Sequence, residues 1–197
     1  SDLPGISVRR TTVRQYPYGS LGAHVLGYIG SISQEKLDQI DEETDGENPL
    51  DYEPGDEIGR SGIEGAYEDV LRGQPGQTAY EVDSAGNIVR VVPELTEAPV
   101  PGHDLLTTLD VNVQYLAETE LATRMDVVED TYPEAGGSVV VLDPNTGGVV
   151  AMASYPTFNP NDFLNGISQE QYAALADPNG PLPLLNRAVA GEYAPGS

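Results

Sequence analysis

The sequence contains one Ser-x-x-Lys pair, Ser33 and Lys36, and this lysine is the only one in the chain. A serine and a lysine three residues apart share one face of a helix, where the amine can act as a base toward the hydroxyl. The neighbouring residues favour a simpler interpretation. Ser33 is a good helix N-cap residue and Lys36 lies in an acidic segment, so we predict no active site at this pair.

Histidine chemistry has little support in the sequence. The two histidines, His24 and His103, lie far apart along the chain, and the residues around them do not have the spacing of a Ser-His-Asp triad or of a histidine metal site. We therefore predict a structural role for both.

The acidic segment 41–57 carries a partial calcium pattern. Asp41, Glu43 and Asp45 resemble the first half of a calcium-binding loop, but Tyr52 stands where the closing glutamate belongs. We favour a solvated acidic loop over a calcium site and predict no metal and no cofactor.

Two pairs of carboxylates have the residue types of a glycosidase: Glu118 with Glu120, and Glu129 with Asp130. No aromatic residues surround them to bind a sugar. We predict that they lie on solvated helix faces.

The elements that would position these residues follow from periodicity and turn residues. Strands are predicted over 6–18, 78–83, 87–92, 104–109, 138–142 and 148–153, the last two buried and joined by a hairpin turn at 143–147. Helices are predicted over 33–40, 59–73 and 111–125, with a helical turn and a further strand within 19–30. The Pro-rich segment 93–102 separates two units, 1–101 and 102–197, and the fold class is α+β.

The charge balance is strongly acidic, with 32 Asp and Glu against 9 Lys and Arg and a net charge of −23. Nucleic acid is excluded as a partner, because no basic patch exists to displace its counterions. The absence of cysteine excludes disulfides and thiolate chemistry. The first residues lack the features of a signal peptide and no apolar run reaches the length of a membrane span, so we expect any membrane anchor to lie outside this chain.

Five segments, taken in order, resemble class B penicillin-binding proteins, and together they cover most of residues 5–197. The segments are Tyr16–Gly30, Gly59–Gly73, Gly102–Asp110 followed by Gln114, Asp143–Asn161, and Asn186–Ala188 with Tyr193–Ser197. In that family the serine after Pro-Gly is the nucleophile, and the matching position is Ser197.

The resemblance implies a mostly antiparallel β pedestal, or dimerisation, domain with short helices over 1–101. It implies that 102–197 is the N-terminal part of a serine transpeptidase-like α/β domain. The implied parent enzyme cross-links peptidoglycan stem peptides ending in D-Ala-D-Ala through a serine acyl-enzyme, and β-lactams acylate the same serine. The catalytic lysine, the Ser-x-Asn loop and the Lys-Thr-Gly strand would come after Ser197, so we expect the chain to be inactive alone.

The resemblance favours an elongation-type rather than a division-type member, on the extracytoplasmic face of the cell membrane. An alternative activity is that of a non-catalytic pedestal that binds a glycan polymerase of the shape, elongation and division (SEDS) family, together with other cell-wall elongation proteins. Arg60 and Glu64 are expected to form an ion pair that braces the pedestal. An incomplete catalytic sheet exposes apolar edges, so we expect something further to stabilise the region after about residue 137.

Overall fold

The computed structural model describes residues 13–45, 48, 50, 52–129, 136–164 and 166–192. The fold is α+β, as predicted, and its strands form three antiparallel pairs, β1–β2, β3–β4 and β5–β6. The elements are α1 (Ala23–Leu26), β1 (Ile29–Ser31), α2 (Gln34–Glu43), β2 (Glu57–Gly59), α3 (Gly62–Ala66), α4 (Glu68–Leu71), β3 (Tyr80–Val82), β4 (Ile88–Val91), α5 (Val111–Glu129), β5 (Gly137–Leu142), β6 (Val149–Tyr155), α6 (Gln169–Leu175) and α7 (Arg187–Ala190). Within the described ranges, no helix combines the length and apolarity that a membrane crossing needs.

Helix α2 confirms the prediction for its segment and extends it. The Ser33 hydroxyl accepts a hydrogen bond from the backbone N–H of Lys36, so the serine is the N-cap. The helix continues to Glu43, which places Asp41 and Glu43 on helical turns rather than in a calcium-binding loop. A small core forms beneath the helix where Leu37 packs with residues from β2 and from neighbouring loops. Its buried members are Ile32, Leu37, Tyr52 and Ile58.

The segment 59–73 is not the single helix that its spacing predicts. Gly59 pairs with Ile29 in the β1–β2 sheet, and the helical part divides into α3 and α4 at Tyr67. Gly73 has a φ of 74° and ends the second helix, as predicted. Helical spacing does not reveal the strand at Gly59, because that strand depends on a partner, Ile29, that is thirty residues away in the chain.

Two predicted strands are not found in the described part of the chain. Of the strand predicted over 6–18, residues 13–18 form no strand, and residues 6–12 lie outside the described residues. Residues 104–109 are also irregular. At the end of that segment the chain reaches strand β6 through one backbone hydrogen bond, from Asp110 N–H to the Val150 carbonyl. A strand needs a continuous ladder of partners, and alternating side chains alone do not supply one.

The β5–β6 hairpin packs against helix α5. Asp110 accepts hydrogen bonds from the N–H groups of Asn112 and Val113 and so caps α5. The helix then packs across β6. Strand β6 has three buried and four half-buried residues, which confirms the predicted burial in part, whereas β5 alternates between half-buried and exposed residues and is not the buried strand that we expected.

An apolar groove lies between α5 and β5. Val113, Leu116, Ala117 and Leu121 of the helix face Val139 and Val141 of the strand across an open cavity of about 290 Å³. On the other face of β5, Val140 and Leu142 are exposed. The expectation that something further covers this region stays a prediction.

A close approach of two glycines joins α1 to α3. Gly27 has a φ of 80°, and a Cβ atom there would overlap the Ser61 carbonyl oxygen. Gly62 has a φ of 57°, and its Cβ would lie 2.6 Å from the Gly27 backbone nitrogen. Only glycine allows the two backbones to meet at this distance.

We predict that Gly27→Ala costs about 3 kcal/mol or more of unfolding free energy, because it combines a disfavoured φ with a backbone overlap. The matched control is Gly19→Ala. Gly19 has a similar φ of 61° but open space around the missing Cβ, so its cost is about 1 kcal/mol. Urea unfolding of both variants checks the difference, and equal costs would show that the close approach adds nothing.

Candidate functional site

Ser197, the predicted nucleophile, lies outside the described residues. The structure does describe residues 181–192, which lead toward it, and the contacts that hold them. This segment rests on strand β6 and on helix α1. The candidate functional site is therefore best described through these contacts.

Asn186 is the centre of these contacts. Its side-chain oxygen accepts hydrogen bonds from the N–H of Ala188, at 3.1 Å, and from the Ser154 hydroxyl, at 3.3 Å. Its side-chain nitrogen donates to the His24 carbonyl at 3.3 Å. One amide thus caps α7, binds strand β6 and binds helix α1.

His24 makes a second contact between α1 and the same segment. The ring Nε2 lies 2.8 Å from the Pro183 carbonyl, and a neutral imidazole donates this bond. Phe158 packs edge-on against the ring, with the centroids 5.3 Å apart. Burial lowers the pKa of His24 below its ordinary value of 6.5; the bond to Pro183 acts in the opposite direction, and the Arg187 charge lowers the pKa further. The structural role predicted for His24 agrees with this buried position.

An aromatic cluster fills the space around His24. Tyr28 stacks on Phe163 with ring centroids 4.0 Å apart, and Phe158 meets both rings edge-on. Ala23 of α1 is buried in the same cluster, so the segment Tyr16–Gly30 packs directly against residues 158–163. Offset and edge-on aromatic pairs add to the free energy gained by burial alone.

Gln114 and Glu118 of α5 connect this helix to strand β6 and to Gly22 of the first sequence unit. Gln114 of α5 donates to the Met152 carbonyl and accepts from the Met152 N–H, both at 2.8 Å, as a neighbouring strand would. Gln114 also donates to Glu118, whose carboxylate accepts from the Gly22 N–H at 2.7 Å. Glu118 is thus a structural link, and our prediction that it lies on a solvated helix face is wrong.

Asn161 plays the same part for the irregular residues 13–16. Its amide accepts from the Tyr16 N–H at 3.1 Å and donates to the Tyr16 carbonyl at 2.9 Å. A side chain therefore satisfies the backbone groups that a strand partner would have taken.

The predicted ion pair between Arg60 and Glu64 is not formed. Glu64, which is buried, pairs instead with Arg14 through two contacts of 3.0 Å, and the Tyr16 hydroxyl donates to the same carboxylate. Arg60 donates to the Ser31 carbonyl. Burial raises the pKa of Glu64, while Arg14 and Tyr16 act in the opposite direction. Arg60 is four residues from Glu64 in the sequence, whereas Arg14 comes close to it only in the folded chain. The sequence alone therefore does not show which arginine forms the ion pair.

The remaining candidates do not assemble into a site. His103 is exposed, and Ser33 is occupied as an N-cap. Across the part of the chain that the structure describes, no three His, Cys, Asp or Glu side chains are grouped so as to hold a metal ion. Asp130 and the side chain of Glu129 lie outside the described part.

The two sequence units meet at a junction, which consists of the contacts that Tyr16, Gly22 and His24 make with the second unit. Comparison with known proteins identifies these units. Residues 1–107 match the family model of the penicillin-binding protein dimerisation domain, which is more than half of the chain. The chain belongs to the penicillin-binding protein family. Residues 137–197 match the transpeptidase domain of the same family.

Curated relatives of this penicillin-binding protein chain include peptidoglycan D,D-transpeptidase MrdA from Escherichia coli K12. It is 41% identical over 196 residues, which are 99% of this chain and 28% of the relative. MrdA from Acinetobacter baumannii is 39% identical over 195 residues, again 99% of this chain and 26% of the relative. The chain thus spans little more than a quarter of the length of these relatives.

Solved penicillin-binding protein structures share the fold. Pseudomonas aeruginosa PBP2 in complex with WCK 5153 has a TM-score of 0.64 and 33% identity, covering 91% of this chain and 31% of that one. A peptidoglycan synthase complex, described as coordinating polymerization and crosslinking, has a TM-score of 0.66 and 35% identity, covering 88% of this chain and 29% of that one. PBP2 from Helicobacter pylori in complex with MreC has a TM-score of 0.61 and 29% identity, covering 88% of this chain and 28% of that one.

Sequence reasoning from spacing missed the residues that hold the junction. Gln114, Asn161 and Asn186 all lie in the motifs that carry the family resemblance, and that was the only signal for them. A single amide side chain has no periodicity. Helices α6 and α7 were missed for a related reason, because short capped helices in Pro- and Gly-rich chain show too few turns to reveal a period.

We predict that the unfolding free energy falls as the pH drops below about 6.5, in part because of His24. The unfolded chain binds a proton on this ring near its ordinary pKa, whereas the folded chain resists protonation until the pH reaches the lowered value. Stability from this group is therefore complete above 6.5 and is lost as the pH falls toward the folded-state pKa.

Urea unfolding between pH 5 and 7.5 measures this effect. His24→Gln is expected to flatten the slope relative to the parent chain, while the control His103→Gln, at an exposed site, keeps it. An unchanged slope in His24→Gln would contradict the assignment.

Proposed function

We propose that this chain is part of an elongation-type peptidoglycan D,D-transpeptidase, with Ser197 as the nucleophile. The observation that carries the proposal is the 39–41% identity to MrdA relatives over 99% of the chain, up to the region of Ser197. The match of residues 137–197 to the transpeptidase domain supports it. As domains we propose 1–101 for the pedestal and 102–197 for the first part of the catalytic domain.

The proposed reaction has two steps. The Ser197 hydroxyl attacks the carbonyl carbon of the D-alanyl-D-alanine bond, its proton passes to a base, and the terminal D-alanine leaves with a proton on its amine. An amino group of a neighbouring stem peptide then attacks the acyl-enzyme and restores the serine. A β-lactam carbonyl is attacked in the same way, and its acyl-enzyme persists.

In a protein as long as the relatives, residues that follow Ser197 complete the proposed site. We expect a lysine one helical turn after Ser197 to act as the base, and later Ser-x-Asn and Lys-Thr-Gly segments to bind and polarise the substrate. We expect this further chain to cover the apolar groove between α5 and β5, because the two strands β5 and β6 alone are an incomplete catalytic sheet and the groove beside them is open to solvent. The protein is proposed to act on the extracytoplasmic face of the cell membrane.

Fluorescent penicillin labelling tests the nucleophile. In the full-length protein, Ser197→Ala is expected to abolish covalent labelling, because no hydroxyl remains to form the acyl bond. The matched control is Ser33→Ala, which removes the serine of the Ser-x-x-Lys pair that this chain contains. Its hydroxyl caps α2, so labelling is expected to persist. Undiminished labelling of Ser197→Ala would overturn the proposal.

We also propose that the pedestal contacts a glycan polymerase of the SEDS family and other cell-wall elongation proteins. The hairpin β3–β4 supports this, because its cross-strand neighbours put apolar side chains on one face and an ion pair, Arg90 with Glu81, on the other. The apolar face is exposed and consists of Tyr80, Val82, Ile88 and Val91. A two-stranded ribbon with an uncovered apolar face is a typical protein-binding surface. The related PBP2 structure in complex with MreC and the related peptidoglycan synthase complex support the proposal that the partners are cell-wall proteins.

The Ile88→Glu variant tests the hairpin. A charge on the apolar face is expected to reduce polymerase activity in the reconstituted complex severalfold and to leave penicillin labelling unchanged. Arg90→Gln, on the opposite face of the same strand, is the control and is expected to change neither. Equal loss of both activities in Ile88→Glu would indicate misfolding and would count against this role.

A further inference from the structure

We propose that Asn186 is a positioning residue for the acylation step, and that it links the pedestal to the segment that carries the nucleophile. This inference rests on the proposed function, since it concerns how Ser197 is presented. The contacts of Asn186 and of its neighbours support it.

The amide of Asn186 joins more elements than a helix cap requires. A residue that serves only as an N-cap needs one acceptor oxygen toward its own helix. The oxygen of Asn186 meets this need through the N–H of Ala188, but it also accepts from Ser154, and its nitrogen donates to the carbonyl of His24. The bonds to β6 and α1 are beyond what α7 requires.

The surfaces that the amide binds are rigid. Ser154 is 4% exposed and lies in a strand paired along its length with β5. His24 is 8% exposed, and its ring is fixed by Pro183 on one side and Phe158 on another. Asn186 therefore connects α7 to two parts of the structure that have little freedom to move.

Asn186 lies close to the proposed nucleophile along the chain. Helix α7 is short, and Ser197 stands eleven residues after Asn186. Arg187 holds the start of the helix from the other side, because its guanidinium donates to the carbonyls of Pro181 and Leu182. The attachments of Asn186 and Arg187 therefore hold the chain eleven and ten residues before the proposed nucleophile. Small displacements of reacting groups carry large rate penalties.

The arrangement also gives the pedestal a route to the catalytic step. The backbone carbonyl and the ring of His24 both bind the 183–186 segment, and His24 lies in α1 of the proposed pedestal. A movement of α1 therefore reaches Asn186 directly. No side chain has to relay it, because the two residues are in contact.

Stopped-flow acylation of the full-length protein by a fluorescent penicillin tests the proposal. Measurement over a range of concentrations separates the dissociation constant of the first complex from the rate constant of acylation at saturation. Asn186→Ala is expected to lower the acylation rate constant about 10- to 100-fold and to change the dissociation constant less than twofold. A purely structural role would not produce this split.

Asn179→Ala is the matched control, because Asn179 is exposed and its described hydrogen bonds go only to the neighbouring Asp177. It is expected to acylate at the parent rate. Ser154→Ala is a second variant, which removes one partner of the Asn186 oxygen and one of the two acceptors of the Ala188 N–H, and leaves the bond from Ala188 to Asn186 in place. It is expected to show the same split to a smaller degree, about threefold to tenfold, and it decides the question if Asn186→Ala fails to fold.

The outcomes are distinct from those of the proposed function. Full labelling of Ser197→Ala would show that Ser197 is not the nucleophile and would overturn this inference as well. Loss of labelling in Ser197→Ala combined with parental acylation rates in folded Asn186→Ala would overturn the positioning role alone. A rise in the dissociation constant with an unchanged acylation rate constant would overturn it too, since Asn186 would then shape binding rather than the chemical step.

Discussion

Backbone groups that lack a strand partner are stabilised in this protein by side-chain amides that bond as a peptide group does. An Asn or Gln amide offers N–H donors on its nitrogen and an acceptor oxygen, and Asn161, Gln114 and Asn48 use one of each on a single main-chain residue, respectively Tyr16, Met152 and Tyr52. Buried main-chain groups without partners are costly, so a chain with short strands and many turns needs such substitutes. The rest of the structure depends on them, because two of the three join parts of the chain more than thirty residues apart.

This mode of bonding explains why the fold remains well defined with little regular structure. The β1–β2 and β3–β4 sheets have two short strands each, and within the described ranges no sheet pairs a strand of one unit with a strand of the other. The connection is made instead by the amides, by Glu118 on Gly22 and by the aromatic cluster around Phe158. Polar bonds fix the relative orientation of the elements, and the aromatic rings supply the buried apolar area.

The local elements could be predicted from the sequence, and the tertiary pairings could not. Helices α2 and α5 and the hairpins β3–β4 and β5–β6 follow from periodicity, capping and turn residues, all of which act over a few residues. The failures at 13–16, at 104–109 and at Arg60 with Glu64 share a cause, since each depends on a partner distant in sequence. The same holds for Gln114 and Asn186, whose importance appears only when β6 and α1 lie beside them.

The amide contacts at the junction have a consequence for the environment in which the protein can work. Amide dipoles carry no net charge and do not titrate, so dissolved ions screen their bonds far less than they screen exposed ion pairs. The chain carries a net charge of −23, and such a surface responds strongly to ionic strength. Because the bonds of Asn161 and Asn186 are independent of that surface, acidic residues can be gained or lost on the outside while these contacts between the two units are retained.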